Sequence, residues 1–260
     1  MTAYLGSVWS CRYFWLSLVR MDLRNRYRGS VLGIGWSLAH PLAATVVICA
    51  VYYKLLKADV TEFVPFLLAG LACWNYLVGV TLSGCQCFVQ AEPYIRQHAL
   101  PLAIYPLRTT LGATVHLALA LGVVIALTAA LRGLHHPTAL LALVPTMALL
   151  MLLGWSVGVL AGFVNTVFRD THHLLEVTFQ ILFYLSAVIY PKELLYQNGL
   201  GWLAACNPLV AFQSLIRDPV LYGSWPSGSD IALTMAVAGL ATTAAAVVLR
   251  YGSRHLIHYL

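Results

Sequence analysis

The groups from which this chain could build acid–base or metal chemistry are nine carboxylates and nine histidines. Their spacing argues against both uses. The carboxylates fall at or near the ends of apolar runs, except Glu176, which lies just inside the fifth. A carrier driven by protons or ions buries ionisable groups mid-membrane, so this distribution disfavours such a carrier and a carboxylate-based membrane enzyme alike. Asp170, His172, His173 and Glu176 form the one cluster that could be turned to catalysis, and they are read instead as a polar helix end. The neighbours His135-His136 and His172-His173 fall at loops, and two adjacent histidines make a weak metal site. His40 and His116 lie inside apolar runs and are read as polar residues satisfied between helices. No G-x-x-x-x-G-K-[ST] and no H-E-x-x-H occurs, so the chain does not cradle nucleotide phosphates in that way and lacks that zinc signature. Six cysteines lie mostly in apolar runs, and Cys85 and Cys87 are one residue apart with no second pair following. They read as small buried hydrophobes. Neither a metal nor a cofactor is expected in this chain, and energy for any transport has to come from another one.

Two further patterns stand out. Gly154, Gly158 and Gly162 recur every fourth residue, a small-residue stripe that lets another helix approach closely. Aromatic residues gather at Trp36, Tyr52 and Tyr53, at Trp74 and Tyr76, and at Phe179, Phe183, Tyr184 and Tyr190. One reading is an interfacial belt or ordinary packing, which suits Tyr52, Tyr53 and Tyr190. The other is a track of apolar platforms with polar handles over which sugar rings slide. Trp36, Tyr52, Phe179, Phe183 and Tyr184 are the candidate channel residues on that reading.

These residues need a lipid environment to be positioned. The chain has 260 residues, 60% hydrophobic and 9% charged, against roughly 25% charged in a soluble domain. The mean hydropathy is +0.80. A span takes about 20 apolar residues, which predicts an all-α integral membrane protein of six spans in one domain over residues 1–260. Met1 to Trp15 lack a basic start followed by a clean apolar core, so the first spans are expected to target the chain. Residues 5–28 read as an amphipathic helix, with Trp9, Tyr13, Leu16 and Leu23 on one side and Arg20, Arg24 and Arg28 on another. Such a helix lies in the membrane interface, and residues 1–30 are assigned to it. Spans one to five occupy residues 31–190, at about 33–53, 63–88, 108–131, 138–167 and 174–190; the fifth is short. Two weakly apolar stretches, Leu200 to Cys206 and Leu209 to Ile216, fall in the region 191–230. Neither is long enough to cross, so both are read as re-entrant or interfacial helices that protein or a watery cavity must shield. Span six is expected within 231–250.

Orientation follows from arginine and lysine. With six spans the termini share a side, which holds Arg12, Arg20, Arg24, Arg26, Arg28, Arg96, Arg108, Arg169, Arg250 and Arg254. The other side holds Lys54, Lys57, Arg132, Lys192 and Arg217. This bias places both termini in the cytoplasm and the 191–230 region outside. The formal net charge of +6 thus reports topology, and no nucleic-acid partner is expected.

The stretch Arg20 to Leu42, R-M-D-L-R-N-R-Y-R-G-S-V-L-G-I-G-W-S-L-A-H-P-L, resembles the start of permease subunits of type-2 ABC exporters for polysaccharides. Arg26, Tyr27, Arg28, Ser30, Leu32, Gly33, Trp36 and Pro41 carry the match. Leu100-Pro-Leu-Ala-Ile-Tyr-Pro-Leu-Arg108 is similar to that family's segment before the third span. Asn207-Pro-Leu-Val210, followed by Arg217, is similar to its stretch before the last. The resemblance implies a bacterial cytoplasmic (inner) membrane protein that works as a dimer of this chain with two ATPase subunits, which hold ATP and Mg. The interface helix, through Arg20, Arg24 and Arg28, and the loop from Glu92 to His98, through Glu92 and Arg96, are expected to contact those subunits. Spans one and five are expected to line the channel. The cargo implied is an undecaprenyl- or phospholipid-linked polysaccharide such as O-antigen or capsule. A type-2 permease for a small lipid or drug shares the layout but lacks the aromatic track, and a membrane enzyme of lipid-linked sugar synthesis would need a polar cluster at one membrane face.

Overall fold

The computed structural model describes residues 2–31, 33–56, 59–97, 100–134 and 136–259. Leu32, Lys57, His98 and His135 fall outside the described residues, as do the side chains of Lys54 and Arg254. The described residues are helical with no strand. In chain order the helices are α1 (Thr2–Ser10), α2 (Arg12–Arg26), α3 (Trp36–Leu56), α4 (Val60–Cys85), α5 (Cys87–Gln90), α6 (Glu92–Gln97), α7 (Ile104–Arg132), α8 (Leu143–Val167), α9 (Thr171–Leu185), α10 (Glu193–Gln197), α11 (Gly201–Cys206), α12 (Pro208–Arg217) and α13 (Gly228–Tyr259).

Among the described residues five segments are long and apolar enough to cross a membrane: Gly33–Tyr53, Val60–Cys85, Ile104–Arg132, Pro137–Val167 and Gly228–Gly252. They coincide with five of the six spans read from the sequence. The fifth run differs: α9 stops after 15 residues, about 22 Å of helix, and the chain turns through Ser186 to Tyr190. The interface segment differs as well. Cys11 breaks it into α1 and α2, which ends at Arg26. The front of its apolar stripe faces away from the bundle, with Trp9 65% and Tyr13 73% exposed, while Leu23 turns inward to a cavity. Leu18 and Val19 are the residues α2 buries.

Local chemistry sets the boundaries. Asp59 caps α4, accepting from the Thr61 backbone N–H at 2.9 Å and from its hydroxyl at 2.8 Å. These bonds hold the Asp59 carboxyl below its usual range. Gly133, at φ 74°, ends α7, and Arg132 there pairs with Glu62 at 2.9 Å. Within the spans, hydroxyls such as those of Thr81, Thr128 and Thr146 donate to the carbonyl four residues back. These three hydroxyls are thereby satisfied without water.

The hub is α4, 72% of whose central window is buried, against 17% for the α3 and α13 spans. It packs on α3, α7, α8, α9 and α12. The glycine stripe of α8 faces it. A Cβ at Gly154 would meet the Tyr76 hydroxyl at 2.7 Å, and one at Gly162 would meet Phe88 at 2.8 Å. The closest approach is at Gly84, where a Cβ would lie 2.4 Å from the Gly158 Cα. Tyr76 donates to the Leu150 carbonyl at 2.9 Å across the same seam. α8 and α13 run parallel, with the Ser156 hydroxyl 2.9 Å from that of Thr242 and Gly252 against Phe163. Phe163 in turn touches Phe88, which packs on Tyr105 at the start of α7. α2 is fixed to that same end by a bidentate Asp22–Arg108 ion pair. Both chain termini therefore lie at one end of the bundle. Arg132–Glu62 and the Lys192–Asp230 pair, 3.5 Å apart, mark the other.

The seam is asymmetric, because a Cβ at Gly158 finds only ordinary contacts at 3.5 Å. Gly84→Ala is expected to lower stability by about 1–3 kcal/mol through overpacking, while Gly158→Ala changes it by less than about 0.5 kcal/mol. Thermal melting of the detergent-purified variants measures the difference.

Candidate functional site

The segment after α9 leaves a row of carbonyls that no helix satisfies. Ala187 adopts φ 51°, a left-handed conformation, and turns the chain back. The residues of α12 and its cap take up those carbonyls one after another. The Asn207 amide donates to Leu185 O at 3.2 Å and to the Ser186 hydroxyl at 3.0 Å. Gln213 Nε2 donates to Ser186 O at 2.9 Å. Arg217 Nη1 donates to Ala187 O at 2.9 Å and Nη2 to Val188 O at 2.7 Å. The guanidinium lies over the Phe66 ring, 3.7 Å from its centroid, in a slot that exists because Gly70 has no side chain. A Cβ at Gly70 would stand 2.2 Å from Nη2. Among the described residues no carboxylate pairs with Arg217, so carbonyl dipoles and an aromatic face hold the charge. Beside it Asp218 opens a single π turn over Asp218–Tyr222. Burial pushes its carboxyl up to about 6, against a downward pull from Lys192. Lys192 donates to Ser214 at 3.0 Å and faces Asp230, tying the chain before α10 to α12 and to the start of α13.

The predicted aromatic residues divide. Phe179 and Phe183 turn inward and meet Trp74 edge-on, with centroids 5.8 and 5.5 Å apart. Tyr52 stacks on Phe63 at 4.9 Å. Trp36 and Tyr184 are open, 57% and 64% exposed. Around Tyr184 the outer face of α9 presents Leu174, Val177 and Ile181, all exposed. α3 likewise exposes Val46, Val47 and Tyr53. The structure thus brings Phe179 and Phe183 into the packing between α4 and α9, and leaves Trp36 and Tyr184 on outward faces.

Arg20, Arg24 and Arg28 are exposed on α2 and the turn after it. Glu92 and Arg96 pair within α6 at 2.8 Å. α1 is pinned nearby: Tyr4 Oη accepts from the Ala103 backbone N–H at 3.2 Å, while Trp155 Nε1 donates to Ala103 O at 3.2 Å. His172 and His173 lie 3.7 and 3.2 Å from Glu176 on one turn of α9, a local ion-pair geometry at a helix start, with Asp170 as the preceding cap residue. Sequence reasoning did not find Asp22–Arg108, Gln213 or Gly70. Asp22 was legible as the lone acid within a run of arginines; Gly70 carried no pattern that points to a guanidinium.

Residues 13–221 match the family model described as ABC-2 type transporter. An O-antigen export system permease protein RfbA from Klebsiella pneumoniae is 21% identical over 207 residues, 79% of each chain. A second from the same organism is 20% identical over 80% of each. One from Myxococcus xanthus is 22% identical over 76% of each.

Gly70→Ala is expected to displace the guanidinium and to destabilise the chain about as much as Arg217→Met, by roughly 2–4 kcal/mol, since each leaves two buried carbonyls unpaired. Thermal melting of both variants tests this, and a mild Gly70→Ala combined with a severe Arg217→Met would contradict the slot. Asp218 gives a pH signature. Its folded pKa is raised, so its contribution is full below pH 4 and is lost as pH rises through about 6. Relative to Asp218→Asn, the wild-type chain should lose about 1 kcal/mol across that window, an amount discounted for partial exposure, as read from melting midpoints against pH.

Proposed function

The chain belongs to the ABC-2 type transporter membrane family, and from that premise we propose that it is the permease subunit of an exporter of lipid-linked polysaccharide. The observation that carries the reading is the extent of its likeness to proteins named O-antigen export permeases, about four-fifths of both chains. A motif-sized match would leave the layout free; one of this extent supports the same arrangement of spans.

On this reading α9 is the fifth of six spans. Its 15 residues are about 8 Å short of a hydrocarbon core of roughly 30 Å, and the latched turn at Ser186–Tyr190 makes up the difference. α11 and α12 are re-entrant on the outer side, a position open to irregular backbone only where protein satisfies it, as Asn207, Gln213 and Arg217 do. The end that carries both termini faces the cytoplasm of the inner membrane. There Arg20, Arg24, Arg28, Glu92 and Arg96 meet two ATPase subunits, which bind ATP and Mg. The exposed apolar faces of α3 and α9 suit a second copy and the channel wall, with Trp36, Tyr52 and Tyr184 offered to sugar rings. Phe179 and Phe183 set the wall's shape from behind, through Trp74. Work done on α2 and α6 then moves the bundle as a rigid body.

Deleting the chain is expected to build up lipid-linked polymer on the cytoplasmic side and to empty the surface of it. Normal surface polysaccharide would favour a small-lipid or drug permease, and loss of polymer without internal build-up would favour a synthetic enzyme. In the complemented strain Trp36→Ala and Tyr184→Ala should slow export severalfold with normal assembly. Phe179→Ala should in addition lower the melting temperature, because it empties the space beside Trp74. Surface polysaccharide per cell and the midpoints of the purified variants measure both effects.

A further inference from the structure

A cavity of about 440 Å³ lies between α2, α3, α4 and α7, at the end of the bundle that carries the termini and away from the latch. Its upper wall is cationic. Arg26 and Arg108 both line it, and Asp22 neutralises Arg108 alone. Among the described residues no carboxylate lies within 4.0 Å of the Arg26 guanidinium. Tyr105, 1% exposed, is part of the same wall, and its hydroxyl has no hydrogen-bond partner. A buried hydroxyl without an acceptor is costly by about 1–3 kcal/mol, and an acceptor brought by a ligand removes that cost. His40 and His116 supply further polar edges, and Trp36 stands at the rim.

The far wall is different in kind. Gly79, Gly112, Ala113, Leu117 and Ala120 line it. From Arg108 to Ala120 along α7 is about 18 Å, so the cavity is charged at one end and is lined farther in mainly by small and apolar residues, with Asn75 and His116 as polar exceptions. A soluble anion would use the first part only. A molecule with an anionic head and a hydrocarbon tail uses both. The volume falls in the range of roughly 300–1,000 Å³ that small-molecule pockets occupy. The cationic end lies beside α2, whose outward aromatic stripe suits the headgroup layer.

We propose that this cavity binds an anionic phospholipid from the leaflet in which α2 lies. The phosphate takes hydrogen bonds from Arg26, Arg108 and the Tyr105 hydroxyl, and one acyl chain lies along the small-residue wall of α4 and α7. A charged donor on a phosphate gives the strong, oriented contact, and the site recognises the headgroup whatever the transporter exports.

The test uses the full chain in phosphatidylcholine vesicles that contain brominated phosphatidylglycerol, with the reciprocal brominated phosphatidylcholine series alongside. The Trp36 share of fluorescence, wild type minus Trp36→Phe, reports lipid at the rim. Phosphatidylglycerol should be preferred there by about tenfold. Arg26→Gln should abolish the preference. Arg12→Gln, an equal loss of charge on α2 outside the cavity, should keep it. Tyr105→Phe should reduce the preference about threefold with no loss of melting temperature, and it decides the matter if Arg26→Gln does not fold. Equal quenching by the two lipids, equal losses in Arg12→Gln and Arg26→Gln, or an unchanged preference in Tyr105→Phe overturns the proposal. So does full relief of the quenching by millimolar inorganic phosphate, which would make this a site for soluble anions.

Discussion

The guanidinium of Arg217 holds the part of the molecule for which hydrocarbon leaves no alternative. A backbone carbonyl that finds neither helix nor water in lipid is costly by several kcal/mol, and the chain offers several in succession where α9 ends. A charged side chain within such a bundle is costly as well. The two problems answer each other: the carbonyls of Ala187 and Val188 are the counter-dipoles of the cation, and the cation is their donor. Neither arrangement stands alone, and both need the missing side chain at Gly70. A lysine at 217 would bring a point charge without the planar fork that reaches two carbonyls at once.

The latch is attached to α4, which is also the helix that α8 approaches most closely. Gly70 and Gly84 lie 14 residues apart, about 21 Å along one axis. The first admits a guanidinium and the second a helix backbone. A helix enclosed for most of its length has little freedom to bend, so the two ends of the bundle are mechanically joined through it. The helices with the barest faces, α3, α9 and α13, are joined to this hub from outside, and their unburied surface is what remains for lipid or for another copy.

Hydropathy made most of this architecture legible. Runs of about 20 apolar residues have one stable form in a membrane, and the spans read at 33–53, 108–131 and 138–167 differ from the structure by a few residues. The glycine stripe was legible for the same reason, since periodicity fixes a face. Its partner was not, because nothing in the pattern of α8 points to Gly84. The aromatic residues divide in a way that their spacing did not show. Phe179 and Phe183 were grouped with Tyr184 by nearness in sequence. The helix turns about 100° per residue, which sends Phe179 and Phe183 toward Trp74 and leaves Tyr184 on the outward face. The interface helix was read as continuous, and no propensity marks Cys11 as a break. Long-range polar pairs such as Asp22–Arg108 and Tyr76–Leu150 join residues 86 and 74 apart, and a sequence without its fold does not pair them.

Where the polar groups sit carries a further consequence. At one end Asp22, Arg108, Glu92 and Arg96 form ion pairs, and at the other Arg132, Glu62, Lys192 and Asp230 do so. Between them the spans hold threonines bonded to their own backbone, glycines and aromatics. A molecule passing such a wall meets no group able to hold it strongly. Among the described residues no carboxylate sits midway along a span, the group through which a proton or ion gradient commonly acts. Any directional bias must then arise at the ends. In the exporter reading it enters where α2 is fixed by one ion pair and emerges where α12 is fixed by one guanidinium. Strong contacts at the ends and weak ones along the way are what a long polymer needs, because each unit must leave its place as readily as it arrives.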